Sequence, residues 1–268
     1  VEVITGIRIH CFIGGMELLR APRIWIESER HKALSRAGIT LPDPKGEIWR
    51  MVSTGGPVEI RYGYRDDDPA TWKGTVAWKR PGTEDQVEIG AVGVELPLSA
   101  TRITQAWENE TPEAIIRWAV GRAGMAAGRI DSPGVVFPRF VASNINVWQT
   151  ARQCAHTCQR SFGLDMSRWA LWAGADGAVN WGDFDEPGLR PRVATGAGLI
   201  NHSPATDAYG RSIVETFLIA GFMHSQIFRL LDTRRDIDDE LRALRVRHEL
   251  NERSVRTFIR YGDEHERF

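Results

Sequence analysis

Leu244-Arg245-Val246-Arg247-His248-Glu249-Leu250 is the stretch on which the fold class turns. Leu244, Val246, His248 and Leu250 alternate with Arg245, Arg247 and Glu249, and a period of two sends successive side chains to opposite faces of a strand. Asn251-Glu252 then turns the chain into a second strand candidate, Val255 to Tyr261. On it Arg256 and Arg260 share one face, as Arg245 and Arg247 do on the first. Upstream, Ile213 to Ala220 and His224 to Asp232 are apolar strand candidates parted by Gly221, and Thr233 to Glu240 reads as a charged turn. Gly262 to Phe268 reads as a frayed tail.

The first hundred residues carry the same signature. Val58, Ile60 and Tyr62 alternate with Glu59 and Arg61, and Trp72, Val76 and Trp78 alternate with Lys73, Thr75 and Lys79. Gly63 to Pro69 is a polar turn between them, and Val87 to Leu96 makes a third strand, which together predict an antiparallel meander. His31 to Lys45, with Pro42 and Pro44, is expected as an exposed loop insertion.

The character changes at Thr111-Pro112-Glu113, a hydroxyl cap, a proline at the first helical position and an acid at the positive end of the dipole. Ile116, Val120 and Ala123 continue one face, and Gly124 stops the helix. After an extended Phe137 to Ala142, Asn144 and Asn146 offer caps to a second helix. Its apolar stripe is Val147, Ala151, Cys154, Ala155, Cys158 and Phe162, closed by Gly163. A hairpin follows, Trp169 to Ala173 and Ala178 to Trp181. Arg190 to Gly210, rich in Gly, Pro, Ala, Thr and Asn, is expected as a linker or long loop.

Composition narrows the function classes. At 268 residues the chain is near the upper limit for one core, so two or three packed units are expected. Its 34 basic and 35 acidic side chains leave a formal charge of −1, with no global field to gather nucleic acid or an acidic membrane. The longest apolar run, Phe217 to Met223, falls far short of the roughly 20 residues that span a bilayer. No secretion signal is visible at Val1, and three cysteines at irregular spacing make no disulfide framework, so a cytoplasmic origin is expected.

Each chemical constellation has a plainer reading that prevails. Cys154-x-His156-x-Cys158 offers two thiolates at i and i+4, but both fall on the apolar stripe with His156 facing away, as core cysteines do. Asp66-Asp67-Asp68 lacks the ordered ligand register of a cation loop and reads as a solvated turn. Asp236, Asp238, Asp239 and Glu240 read alike, with Arg234, Arg235 and Arg242 to offset them. Asp183, Asp185 and Glu186 suggest paired carboxylates for glycoside hydrolysis, but they sit in a turn-like stretch. No nucleophile elbow, phosphate loop, dinucleotide fingerprint or zinc-protease motif occurs. No catalytic, cofactor or metal residue is therefore assigned. Most of the ten tryptophans, among them Trp72, Trp78, Trp118, Trp148, Trp169 and Trp181, lie in phase with apolar faces. Trp25 and Trp49 are the candidates for exposure, and with them a carbohydrate-binding reading.

The order of short motifs resembles one family. Gly74-Thr75-Val76 closes a β-unit, and the Thr-Pro-Glu helix and Arg139-Phe140-Val141-Ala142-Ser143-Asn144-Ile145-Asn146-Val147-Trp148 follow. Then come Phe162-Gly163-Leu164, Trp181-Gly182-Asp183, His224-Ser225-Gln226, Asp232-Thr233-Arg234-Arg235 and Arg245-Val246-Arg247-His248. From Val58 to Tyr261 this combination resembles the baseplate hub proteins of tailed phages, the late-control-D type, related to type VI secretion spike proteins. The resemblance implies a β-rich α+β fold with two small tube-like antiparallel β-barrels, in 1–105 and 190–268, around an α/β insert of two helices and a hairpin in 106–189. It also implies a homotrimer with a pseudo-sixfold ring in the virion tail. The partners are the tail tube or distal tail protein, the tape-measure protein and a tip or fibre-attachment protein. DNA passes the lumen without specific binding, and no membrane insertion is involved. Arg245, Arg247, Arg256 and Arg260 are expected on a lumen or inter-subunit face. No spike or needle segment is seen, so another protein is expected to close the tip. Besides the carbohydrate- or receptor-binding module, a tail-associated hydrolase is the other reading.

Overall fold

The computed structural model describes residues 6–18, 23–83, 85–206, 210–251 and 254–264. The first part of the chain forms β1 (Ile7–Ile13), β2 (Met16–Glu17), β3 (Arg23–Glu29), β4 (Arg36–Pro42), the short helix α1 (Glu47–Met51), β5 (Pro57–Tyr64), β6 (Ala70–Pro81) and β7 (Gln86–Gly93). The middle forms α2 (Leu96–Ala100), β8 (Arg102–Glu110), α3 (Pro112–Arg122), β9 (Ala127–Ile130), β10 (Phe137–Asn146), α4 (Val147–Phe162), β11 (Ala170–Ala173) and β12 (Val179–Gly182). The last part forms β13 (Arg192–Thr195), β14 (Gly198–Ser203), β15 (Arg211–Phe217), β16 (Ile227–Asp232), β17 (Ile237–Arg242), β18 (Arg245–Asn251) and β19 (Ser254–Gly262).

The chain divides into two compact units. One holds β1–β7 and β13–β19, and the other holds the middle elements with Arg30–Leu34. In the first unit, strands far apart in sequence join into a single 14-stranded sheet, in the order β17-β16-β13-β14-β15-β19-β18-β3-β4-β7-β6-β5-β1-β2. The antiparallel pair β18–β3 is the seam between its two halves. Read from outer edge to seam, the halves run β2-β1-β5-β6-β7-β4-β3 and β17-β16-β13-β14-β15-β19-β18. Counted cyclically from β16, the second half repeats the order of the first. The two differ at β13, which runs parallel to both neighbours, while its counterpart β5 is antiparallel to both.

Each half has its own core. Ile24, Ile39, Val58, Ile60, Val87 and Ile89 gather in one, joined by Leu218, Leu250 and Val255. Val193, Val214, Phe222, Phe228, Val246 and Ile259 gather in the other. Alternation governs both: in β18 and β19 every second residue is buried.

Three stretches differ from the expectations. The loop expected at 31–45 contains β4, whose Ala37, Ile39 and Leu41 are buried between β3 and β7. The two prolines lie at and beyond its end, where they remove no interior ladder bond. The linker expected at 190–210 contains β13 and β14, with Val193, Ala194 and His202 buried. Their shortness leaves no readable period. The charged turn expected at 233–240 ends at Asp236, and Ile237 opens β17, an edge strand whose acids stay in solvent. Glu252 and the tail residues 265–268 lie outside the described residues.

The second unit follows its local signals closely. The Thr111 hydroxyl accepts from the Ala114 amide to start α3, and Gly124 at φ 70° ends it. Asn146 and Gln149 form a reciprocal capping box on α4, at 2.8 and 3.0 Å, and Gly163 adopts φ 70° beyond its end. Ile115, Ile116, Ala119 and Val120 of α3 share a core with Val147, Ala151, Cys154 and Cys158 of α4. The β11–β12 hairpin is pinned by Glu186, which accepts from Trp172 Nε1 (2.7 Å), Asn180 Nδ2 (3.2 Å) and the Ala175 amide (3.1 Å).

Candidate functional face

Arg245, Arg247, Arg256 and Arg260 lie on one face of the sheet. Register sets this: Arg245 pairs with Arg260 and Glu249 with Arg256 across β18–β19, so their side chains leave the sheet on the same side. Their neighbours Val246, His248, Thr257 and Ile259 point into the cores. Across the seam the same face continues as Glu29 beside Arg245, Glu27 beside Arg247 and Trp25 beside Glu249.

The face is an ion-pair lattice. Glu27 takes a hydrogen bond from Arg245 and lies 3.6 Å from Arg247. Arg247 also bonds Glu249 at 2.9 Å. Arg256 lies 3.5 Å from Glu215, and Arg211 lies 3.8 Å from Glu29. Arg260 has no ion-pair partner within 4 Å among the described residues. Partial burial, then the Arg245 charge, pull its pKa downward. A guanidinium stays charged in any case. Glu249 lies two residues from Arg247 on the same strand and is its near partner. Arg253 and Glu252 lie outside the described residues. Glu27, the acid that joins two of the four arginines, could not be found from sequence, because nothing local pairs residue 27 with residue 247.

A cross-strand row adds an aromatic floor. Glu249, Trp25, Gly38, Gly90 and Trp78 succeed one another across β18, β3, β4, β7 and β6. The two indoles cover the two glycines. A Cβ on Gly38 would fall 2.3 Å from Trp25 Nε1, and one on Gly90 would fall 2.2 Å from Trp78 Cε2. Arg247 stacks on Trp25 at 4.8 Å and Arg80 on Trp78 at 5.1 Å. Trp78, expected in phase with the core, is 44% exposed here because a bulge between Val76 and Trp78 reverses the alternation. Trp118 departs likewise at 40% exposure, edge-on to Trp107 at 5.3 Å. Trp25 is half-buried, while Trp49 is exposed with Lys79 Nζ 4.6 Å from its ring.

None of the other candidates lies on β18, β19 or β3. Cys154 and Cys158 are fully buried, and burial pushes both thiols up, Cys158 to about 11. Cys11 belongs to the core of the other unit. No group of three metal-ligating side chains occurs among the described residues. Asp66, Asp67 and Asp68 form an exposed turn. Asp183 lies 3.4 Å from Arg168, and Glu186 is consumed by its three donors. Asp238 takes a two-point contact from Arg229 at 2.7 and 2.8 Å.

One buried network escaped sequence reading. His202 bonds Asp232 through Nδ1 and Tyr261 through Nε2, both at 2.7 Å, and Arg235 donates to Asp232 at 2.8 Å. It ties β14, β19 and the end of β16 together. Contact with His202, then Arg235 and the Arg234 amide, hold the Asp232 carboxyl down at about 2 against the opposing effect of burial. His202 Nε2 faces the Tyr261 hydroxyl rather than a Ser, Thr or Cys, and the network reads as a polar staple.

No protein-family model and no curated relative matches the chain. Solved structures do match in fold. A tail protein of Neisseria meningitidis MC58 aligns with TM-score 0.69 at 11% identity, covering 96% of both chains. The 43 kDa tail protein of prophage MuSo2 from Shewanella oneidensis gives TM-score 0.69 at 10% identity, again with 96% of both covered. The E. coli c3393 protein, a component of the type VI secretion system with structural similarity to phage T4 tail proteins, gives 0.62 at 9% identity over 94% of this chain and 76% of its own. The fold is that of phage tail proteins. It is shared with a type VI secretion component, in agreement with the resemblance carried by the ordered motifs.

Proposed function

We propose that this protein is a structural subunit of a phage tail, a baseplate or tail-tip hub that joins the tail tube to the tip, and that it is not an enzyme. The observation that carries the reading is the doubled sheet: seven strands from each end of the chain, in one cyclic order, on two separate cores. Each half, β1–β7 and β13–β19, acts as one tube-like barrel, with the elements between β7 and β13 as the insert. Three copies then present six near-equivalent units to a hexameric tube, a geometric rather than chemical mechanism. The face of Arg245, Arg247, Arg256 and Arg260 lines the lumen or meets a neighbouring subunit. The tube or distal tail protein, the tape-measure protein and a tip or fibre-attachment protein are the partners. DNA passes without specific contacts, as near-complete pairing of the arginines with acids favours. The site of action is the virion tail.

Light scattering on the purified protein tests this. A mass near three times 30.1 kDa supports the hub. A monomer that stays monomeric with its tube partner sinks it and returns the carbohydrate-binding module to consideration.

A further inference from the structure

Register makes the outer face of β15, β19, β18 and β3 a grid. Its rows are Ile213, Arg260, Arg245 and Glu29; then Glu215, Phe258, Arg247 and Glu27; then Phe217, Arg256, Glu249 and Trp25. Arg245 and Arg247 share Glu27, Arg247 also holds Glu249, and Arg256 lies beside Glu215. Arg211, at the margin, reaches Glu29. Arg260 is the exception: among the described residues its guanidinium meets no acid, no other hydrogen-bond acceptor and no aromatic ring. Arg247 leans onto Trp25 and Arg256 onto Phe217, so neither covers Phe258. There the grid opens into a cavity of about 190 Å³, lined by Ile213, Phe258, Glu249, Arg245, Arg247 and Arg260. A cavity of about 150 Å³ accommodates benzene, so this one has room for a side chain. The first half of the sheet fills the matching space itself, with Trp25 and Trp78 lying over Gly38 and Gly90.

We propose that this cavity is an inter-subunit socket, in which an acidic side chain of a second copy sets its carboxylate on Arg260 and its stem on Ile213 and Phe258. The inference rests on the ring reading above and chooses the neighbouring subunit over the lumen for this face.

Chemistry selects the occupant. Three arginines line the cavity against one acid, and that acid, Glu249, is already bonded to Arg247. Arg245 stands in register with Arg260, and Arg211 adds to the positive field that Glu29 and Glu27 offset from further away. An incoming carboxylate completes the relief those two acids begin. A nucleic-acid strand is a poor occupant, because Glu29, Glu215 and Glu249 surround the cavity and would repel a run of phosphates. Beside it Ile213 is 39% and Phe217 40% exposed, and apolar and aromatic side chains set among arginines are the composition of a protein interface. The chain can supply the acid itself. With 34 basic and 35 acidic side chains, a cation left over here is matched by acids elsewhere. Among them are the exposed Asp66, Asp67 and Asp68, which follow Arg65 and have no ion pair among the described residues.

Arginine labelling tests the socket on the unaltered protein. Phenylglyoxal is applied to assembled protein and to protein diluted to monomer, with N-acetylarginine as internal reference, and Arg260 modification is read by peptide mass spectrometry. The expected result is rapid labelling of Arg260 in the monomer and several-fold slower labelling in the assembly. Equal labelling in both, with assembly confirmed by light scattering, overturns the socket, turns the face to the lumen and leaves the ring reading intact. A protein that is monomeric at every concentration defeats both. Arg260→Glu then tests the charge: the dissociation constant of the assembly should rise about tenfold or more, while Arg260→Lys should stay near the parent. Arg260→Glu that assembles as tightly as the parent overturns the acidic occupant even where Arg260 is protected. Should Arg260→Glu fail to fold, Arg260→Gln is read in the same way: weakened assembly supports the socket, and parent-like assembly overturns it.

Discussion

Arg245 and Arg260 stand directly opposite one another across the β18–β19 pair, two positive side chains in register on the outer face of the sheet. Such a pairing is unfavourable alone, and its relief comes from across the seam, where Glu27 bonds Arg245 and Glu29 flanks it. The acids of β3 therefore couple the two halves electrostatically as well as through backbone pairing.

Glu27→Gln should destabilise the protein by about 1 kcal/mol in urea melts at low salt, since the pairs it breaks are partly exposed. A double-mutant cycle with Arg245→Gln should return a coupling of roughly 0.5–1 kcal/mol. A coupling near zero would mean that the lattice contributes nothing across the seam.

His248 is buried, with Nε2 donating to the Phe222 carbonyl at 2.9 Å and Nδ1 3.0 Å from the Thr257 hydroxyl, which itself accepts from the Ile219 amide. Burial lowers its pKa from 6.5 to about 4. As pH falls the unfolded chain takes up the proton first, so the stability tied to neutral His248 is complete above about 6.5 and lost by about 4. The loss should be on the order of 3 kcal/mol. Melts of a His248→Gln variant should be flat across that window, whatever its absolute stability. An unchanged slope would place the titration elsewhere.

Asp232 supplies a second, lower step. Its carboxylate is held at about 2, first by His202, so its contribution is present above the ordinary aspartate value and disappears as pH falls from about 4 to about 2. Asp232→Asn should remove that step and spare the one above it, as followed by acid titration of tryptophan fluorescence.

Gly38→Ala should cost about 1–2 kcal/mol, because its methyl would enter the Trp25 ring and drive the indole outward. In a Trp25→Ala background the same change should be nearly free. Equal costs in both backgrounds would show that the indole does not rest on the glycine.

All three cysteines are buried, and burial raises each thiol. A thiol reagent should label none of them in the folded protein and all of them in denaturant. Rapid labelling of native protein would contradict the core assignment of Cys154 and Cys158.

What was legible in the sequence was local. The caps at Thr111 and Asn146, the stops at Gly124 and Gly163, and the alternation in β18 and β19 each rest on residues within a turn or two of one another. What was not legible was pairing at a distance. Nothing near Ala37 announces that Ile24 and Ile89 flank its strand, so two nearby prolines outweighed a short alternation. The bulge before Trp78 is equally silent, and without it the indole would point to the core. The four arginines could be placed on faces of their own strands, but their union on one face, and their anchoring by Glu27, needed the register of β18 against β3.

The doubled sheet as one unit of a ring is the central claim, and rotational class averages of the purified protein by negative stain test it most directly. The account predicts a threefold particle with a central hole and six-part modulation around the rim. Compact particles without a hole, or a twofold dimer, would contradict it.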